Sequence, residues 1–266
     1  VSAVRTDGEA TSQGAHAGSM QEGSALKGRV ILVTGAYGGL GRAAALACAR
    51  EGATLVLLGR KVPKLNRVYD AIRQETTAAE PANYPLDLEG AAPDDYAELA
   101  ARIESGLGRL DGLLHCAAEF KGLAAMERTD PADFARAIHV NLTARWWLTQ
   151  ACLPLLKRAD DGAVVFALDD PARSGGAYWG GYGLAQQGSA ALVGMLHAEL
   201  ASTPVRVSGL QLGGMRTALR SKAYVEEDDR LALDPAAYAD ACVTLLSAAG
   251  KQHRGTIWAA PPAVRA

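Results

Sequence analysis

The residues whose type and spacing speak most directly of chemistry are glycines. Gly35, Gly38, Gly39 and Gly41 follow the apolar run Val30-Ile31-Leu32-Val33-Thr34 and precede an alanine-rich stretch, 42–50, of helical character. A turn of this composition lets the backbone pass close to a diphosphate, whose charge then sits among the unpaired N–H groups at a helix start. A plain strand-to-helix turn needs one or two glycines, so cofactor-type nucleotide binding is the stronger expectation. Metal chemistry has no comparable support. Cys48, Cys116, Cys152 and Cys242, and His16, His115, His139, His197 and His253, show no ligand spacing, and the cysteines read as buried thiols of a cytoplasmic protein.

Such a turn needs a strand before it and a helix after it, and the rest of the chain supplies the same alternation. Strand-like runs are expected at 30–34, 53–58, 83–86, 110–116, 163–168, 205–210 and 256–258, and helices at 39–51, 63–75, 93–105, 131–157, 182–200 and 235–248. Asp130-Pro131 and Asp234-Pro235 each read as an N-cap followed by proline at the first helical position, where its missing N–H costs nothing. Thr54-Leu55-Val56-Leu57-Leu58 is apolar on both faces, as a parallel strand covered by helices must be. The expected fold is α/β: a single Rossmann-type doubly wound sheet of about seven parallel strands flanked by helices, with ligand at the carboxyl ends of the strands.

The chain has 266 residues, 49% hydrophobic and 21% charged, enough for one full core over 26–266. Residues 1–25, rich in Gly, Ser, Ala, Thr and Gln, read as a flexible tail in which Gly18-Ser19-Met20 resembles a cloning remnant. A formal net charge of −2 gives no case for nucleic acid or an anionic membrane, and no apolar run approaches a membrane-spanning length.

Thr34-Gly35-x-x-x-Gly39-x-Gly41, Asp87 after the third strand, Asn141 within the long helix and Tyr182 at the start of the next together resemble the short-chain dehydrogenase/reductase family. Ala177-Tyr178-Trp179-Gly180-Gly181-Tyr182 and Gly213-Gly214-Met215-Arg216-Thr217 further resemble a bacterial subgroup of oxidoreductases without a defined substrate. The resemblance implies cofactor contacts at Thr34, Gly35, Tyr37, Gly38, Gly39, Leu40 and Gly41, at Asp87 and Leu88 beside the adenine, and at Ala117 and Gly213. At the end of the second strand, a carboxylate would bond the ribose hydroxyls of NAD. This chain has Gly59-Arg60, and Arg60 offers a fork of donors to the 2′-phosphate of NADP. NADP(H) is therefore favoured over NAD(H), although Gly38 stands where many NADP-preferring relatives carry a second basic residue.

The centre departs from the family pattern. A serine expected thirteen residues before Tyr182 is Asp169, the lysine expected four residues after it is Gln186, and the Asn-Asn-Ala-Gly of the fourth strand is His115-Cys116-Ala117-Ala118. Asn141 and Tyr182 remain, so the expected catalytic set is Tyr182, Asn141, Asp169 and Gln186. In the family, the tyrosine exchanges a proton with substrate oxygen and the lysine cation lowers its pKa. Without that cation, a phenol of pKa about 10 leaves only about one molecule in a thousand as tyrosinate at neutral pH. A protonated Asp169 could still donate a hydrogen bond to a carbonyl, and Gln186 could bond a ribose hydroxyl.

Two functional readings follow. One is an NADP(H)-binding protein of oxidoreductase lineage with impaired dehydrogenase chemistry, a candidate pseudoenzyme. The other is an active NAD(P)H-dependent carbonyl reductase using Tyr182 in a nonstandard centre. Family resemblance also implies a homodimer or homotetramer paired through 133–157 and 182–200, the latter carrying the small apolar run 190–194. Trp179 and Tyr178 read as core or pocket wall, Trp146 and Trp147 as core or subunit interface, and His139 as a surface or interface residue. The acidic stretch 226–230 falls where the family has its substrate lid, and Arg216 reads as a partner for that stretch or for an acidic substrate group.

Overall fold

The structure, a computed structural model, describes residues 24–224 and 232–263. The expected tail, apart from Ser24 and Ala25, and the acidic stretch 226–230 lie outside the described residues. The chain alternates from β1 (Val30–Thr34) through α1 (Gly39–Arg50), β2 (Thr54–Gly59), α2 (Val62–Glu75), β3 (Ala82–Pro85), α3 (Pro93–Leu107) and β4 (Gly112–His115). It continues with α4 (Pro131–Ile138), α5 (Ala144–Leu156), β5 (Ala163–Asp169), α6 (Pro171–Ser174), α7 (Gly180–Glu199), β6 (Arg206–Leu212), α8 (Ala239–Leu246) and β7 (Ile257–Ala259). All seven strands are parallel, in the order β3-β2-β1-β4-β5-β6-β7.

The period-two alternation of the central strands feeds two cores. Ile31, Val33, Leu55, Leu57 and Val165 face α1, α2 and α8, while Val30, Leu32, Val56, Leu58 and Phe166 face α3, α5 and α7. Both faces of the sheet are thus covered, as the apolar strand composition requires. The two expected Asp-Pro caps form: Asp130 accepts from the Ala132 N–H at 2.7 Å and Asp234 from that of Ala236 at 2.8 Å.

Three elements differ from expectation. The expected helix 131–157 is broken by a π-turn at His139–Thr143, because the Asn141 amide donates to the Ala137 carbonyl at 2.8 Å, the group an uninterrupted α-helix would bond through its backbone. The helix expected at 235–248 begins as a 3₁₀ turn, Pro235–Tyr238, before α8. The strand expected at 110–116 is shorter, Gly112–His115: before it the Asp111 carboxylate accepts the Val30 N–H at 2.8 Å, and after it the Cys116 N–H turns to Thr34 Oγ1 at 3.1 Å.

Candidate active site

β1 sends its chain over one face of the sheet and β4 over the other, so their carboxyl ends diverge into a crevice. A pocket of about 400 Å³ opens there, lined from the ends of β1 through β6. Gly35 starts the turn at φ +62°, and a Cβ on it would stand 2.8 Å from the Cα of Ala117; one on Gly41 would collide with the Gly35 carbonyl oxygen. These glycines keep the strand end, the helix start and the β4 loop close while leaving the α1 amino end facing the pocket. Gly38, Gly39, Leu40 and Tyr37 line it. Thr34 and Gly41 do not: Thr34 is buried, and its Oγ1 accepts from the backbone N–H of Cys116 and Ala117 at 3.1 and 3.0 Å, tying β1 to β4.

At the end of β2, Arg60 lines the pocket together with Lys61 and Lys64, two cations that the reading of Arg60 alone missed. Lys64 Nζ lies over the Tyr37 ring at 5.6 Å, and Gly59 leaves room for that ring, since a Cβ there would meet Tyr37 Cε1 at 2.6 Å. Arg60 Nη1 lies 3.7 Å from Asp87 Oδ2, both side chains about half exposed, so the pair is loose and open to exchange for a stronger anion. Leu88, Ala117 and Gly213 line the same pocket. The pocket thus brings together backbone N–H at a helix start, a carboxylate beyond β3 and three cations at the end of β2.

Deeper in the pocket, Tyr182 from the start of α7 is 4% exposed, packed against Phe120 and Trp179. Its hydroxyl donates to Asp169 Oδ2 at 3.3 Å. Burial first, then the charge of Asp169, push the phenol well above its ordinary value, and Arg145 and Arg173 pull the other way. Asp169 Oδ1 is ion-paired with Arg173 and accepts the Asp170 N–H at 2.8 Å. The expected donation from Asp169 to a carbonyl is not the arrangement found: both of its oxygens accept, Oδ1 beside the Arg173 guanidinium and Oδ2 from the Tyr182 hydroxyl. Gln186 is buried and its Oε1 accepts the Asp169 backbone N–H at 3.0 Å, so this oxygen serves the end of β5. Asn141 is wholly buried: its Oδ1 accepts from Glu119 N–H at 3.0 Å, its Nδ2 donates to Glu119 O at 2.7 Å, and its own carbonyl accepts from Ser189 Oγ at 3.0 Å. It pins the loop after β4 to α7 from behind the pocket wall.

Trp179 is core as well as wall, whereas Tyr178 is 60% exposed at φ 74°. Trp147 packs on Tyr96 and His139, and Trp146 faces outward. Arg216 donates to the Ala232 carbonyl at 2.8 Å, which orients it within its own segment. Three of the four cysteines are buried, and Cys116 lines the pocket. Lys222 Nζ donates to Phe120 O at 2.6 Å, drawing the 3₁₀ turn Arg220–Lys222 over the loop after β4.

Comparison with known proteins agrees with this geometry. The short chain dehydrogenase family pattern matches residues 29–228. The oxidoreductase YciK of Escherichia coli strain K12, itself uncharacterised, is 36% identical over 237 residues, covering 89% of this chain and 93% of its own. A short chain dehydrogenase structure from Pseudomonas syringae is 39% identical with a TM-score of 0.84, over 88% of this chain and 95% of that one. Another, from Shigella flexneri 2a and solved with NADP, is 35% identical with a TM-score of 0.84, over 88% and 97%. With the glycine turn, the parallel sheet order and the matched length in agreement, this chain belongs to the short chain dehydrogenase family of oxidoreductases.

Proposed function

We propose that this protein binds NADP(H) and acts as an oxidoreductase whose alcohol oxidation is impaired and whose remaining competence is carbonyl reduction. The observation that carries this reading is the hydrogen bond from Tyr182 to an ion-paired Asp169. It holds the phenol neutral, which disfavours taking a proton from an alcohol yet leaves Tyr182 a proton to give to a carbonyl oxygen. The phenol has one proton, and Asp169 competes for it, so reduction is slowed as well. Bound NADPH would supply hydride to the substrate carbon. Gly35, Gly38, Gly39 and the α1 amino end would hold its diphosphate, Asp87 and Leu88 its adenine side, and Arg60 with Lys61 and Lys64 its 2′-phosphate. The relatives solved with NADP and NADPH support that choice.

Titration with NADPH, NADP⁺, NADH and NAD⁺ by fluorescence or calorimetry tests the proposal. NADPH is expected to bind more tightly than NADH, and Arg60→Ala to erase most of the difference, a charge-assisted contact of about 1.5–3 kcal/mol or roughly 10- to 100-fold in Kd. Equal affinities in the unmutated protein overturn the cofactor choice; no binding of any form removes the enzymatic reading.

The same reading includes assembly and location. The thiols described are all free, which suits the reducing cytoplasm. Of the run 190–194, Leu192 and Val193 turn into the core and only Ala191 and Gly194 face out, so that run is not the packing surface expected of it. The outward apolar side chains on α5 and α7 are instead Trp146, Leu184 and Met195, 43%, 58% and 67% exposed. A homodimer or homotetramer covering them is the expected result of sedimentation, and a monomer at every concentration would count against it.

A further inference from the structure

Arg145, the second residue of α5, is 2% exposed, and its guanidinium lies on the pocket floor between the ends of β4 and β5. Nη1 donates to Ala167 O at 3.2 Å and Nη2 to Ala117 O at 3.0 Å, while Nε is buried without a partner. Among the described residues no carboxylate lies within ion-pair distance of it. Carbonyl dipoles satisfy N–H groups but do not neutralise a cation, and a guanidinium stays protonated. The floor of the pocket therefore holds a positive charge with no counterion.

Two groups nearby can become the missing anion. Cys116, on the loop after β4, stays a thiol, because burial pushes it up to about 12 despite the opposing pull of Arg145. Tyr182 is the other, and its proton is the one a reacting oxygen would receive. The remaining charged groups facing it are Asp169 on β5, which opposes ionisation, and Arg173 on α6, whose charge is spent on Asp169. Gln186 on α7 is neutral.

We propose that Arg145 is a positioning residue that acts through Tyr182, supplying from α5 the positive charge that offsets the tyrosinate formed when the phenol gives up its proton, a charge that position 186 does not supply here. This rests on the oxidoreductase reading for its purpose, but the electrostatic relation between the two residues can be measured without cofactor or substrate. The α5 cation makes the loss of lysine at 186 a relocation of charge. It also assigns a use to the charge of this side chain, since its two hydrogen bonds to carbonyls need only a neutral donor.

A fluorinated tyrosine that titrates near neutrality, incorporated at position 182 and followed by ¹⁹F NMR, reads the effect directly. Arg145→Gln, which keeps an N–H donor and removes the charge, is expected to raise the midpoint by about one pH unit or more, a tenfold change in ionisation. Arg145→Lys is expected to stay within about half a unit of the parent, and Gln186→Lys in the Arg145→Gln background to restore the midpoint. An unmoved midpoint in folded Arg145→Gln overturns the proposal, as does a Lys variant displaced as far as the Gln variant, since that makes shape the cause. If Arg145→Gln does not fold, the Lys variant carries the test, and a rise of about a unit in it overturns the proposal. Failure of the oxidoreductase reading would show instead as absent dinucleotide binding with the midpoint shifts intact.

Discussion

Asp169→Ser combined with Gln186→Lys is expected to oxidise generic alcohol substrates of short chain dehydrogenases on the order of 10²-fold faster than the parent at neutral pH, with a smaller gain in carbonyl reduction. General acid–base groups contribute roughly 10²- to 10⁴-fold, and burial with the charge of Asp169 keeps this phenol protonated at neutral pH. The serine removes the carboxylate that touches Tyr182 and raises its pKa, while the lysine places a cation one helical turn from it. Both act on one proton, so the effects are coupled rather than additive, and with Arg145 intact the lysine adds less than it would in an Arg145→Gln background. The pH profile carries the sign. Because the parent phenol lies above its ordinary value, its oxidation rate should climb about tenfold per unit through alkaline pH, and the double variant should level off earlier. Two costs travel with the change. Arg173 loses its partner but is 24% exposed and can turn to water, whereas the Asp169 N–H loses the Gln186 acceptor at about 1–3 kcal/mol. Thermal stability and cofactor affinity must therefore be measured beside the rates. A parent as fast as ordinary relatives, or one that fails when Asp169 alone is replaced, would show that the carboxylate works in the reaction.

The sheet was legible because its information is local: strand-like runs bounded by turns, the central ones apolar, with the first feeding four glycines. What was not legible came from long-range hydrogen bonding. Nothing in the periodicity of 131–157 reveals that the Asn141 amide takes the Ala137 carbonyl and opens a π-turn, because the competing donor is a side chain. Nor does an apolar run around 110–116 reveal that the Asp111 carboxylate takes the Val30 N–H. Asp170-Pro171 carries the same cap signal as Asp130-Pro131, with Asp170 accepting from Ala172 N–H at 3.0 Å, yet it sits directly against β5 and α6 is only four residues long.

The site was legible where spacing is fixed by the backbone, as from Asp169 through Tyr182 to Gln186. Side-chain contacts were not. Arg173, which pairs with Asp169, and Arg145, which meets no described carboxylate, show in sequence only as an arginine after a cap and an arginine among apolar neighbours. The second could have been noticed as a charge four residues after Asn141, on a helix otherwise apolar on that face. Lys61 and Lys64 follow Arg60 closely enough that weighing the three together would have found the cationic rim.

Asp161→Asn is expected to destabilise the protein by about 3 kcal/mol at neutral pH while leaving dinucleotide affinity unchanged. Asp161 stands before β5, Arg206 opens β6 and Arg29 precedes β1, so the cluster lies at the amino ends of the strands, opposite the site. Arg206 is 3% exposed and donates from Nε to Asp161 Oδ1 at 2.7 Å; its Nη1 and Nη2 reach Leu245 O and Ser247 O at 3.0 and 2.9 Å, joining β6 to α8. Arg29 Nη1 lies 3.5 Å from Asp161 Oδ2. Asparagine keeps the size but leaves Arg206 and Arg29, two cations of like sign, without the carboxylate that joins them, and breaking a buried pair from one side typically costs about 3–5 kcal/mol. The lower figure applies because Asp161 and Arg29 each keep 16% of their side-chain surface in water. A loss of that size should lower Tm by roughly 6–10 °C in a chain of this length. Burial alone would raise the Asp161 pKa, but the hydrogen bond and charge of Arg206, with Arg29 behind it, bring it below its ordinary value. Its stabilisation is therefore full above the unfolded pKa of about 4 and disappears as pH falls through the lower folded value, so parent and variant should converge in acid. Melting curves across that range decide it. A gap that stays constant as pH falls would mean that the asparagine costs packing rather than charge, and an unchanged Tm at neutral pH would mean that the two guanidinium groups are held by carbonyls and water alone.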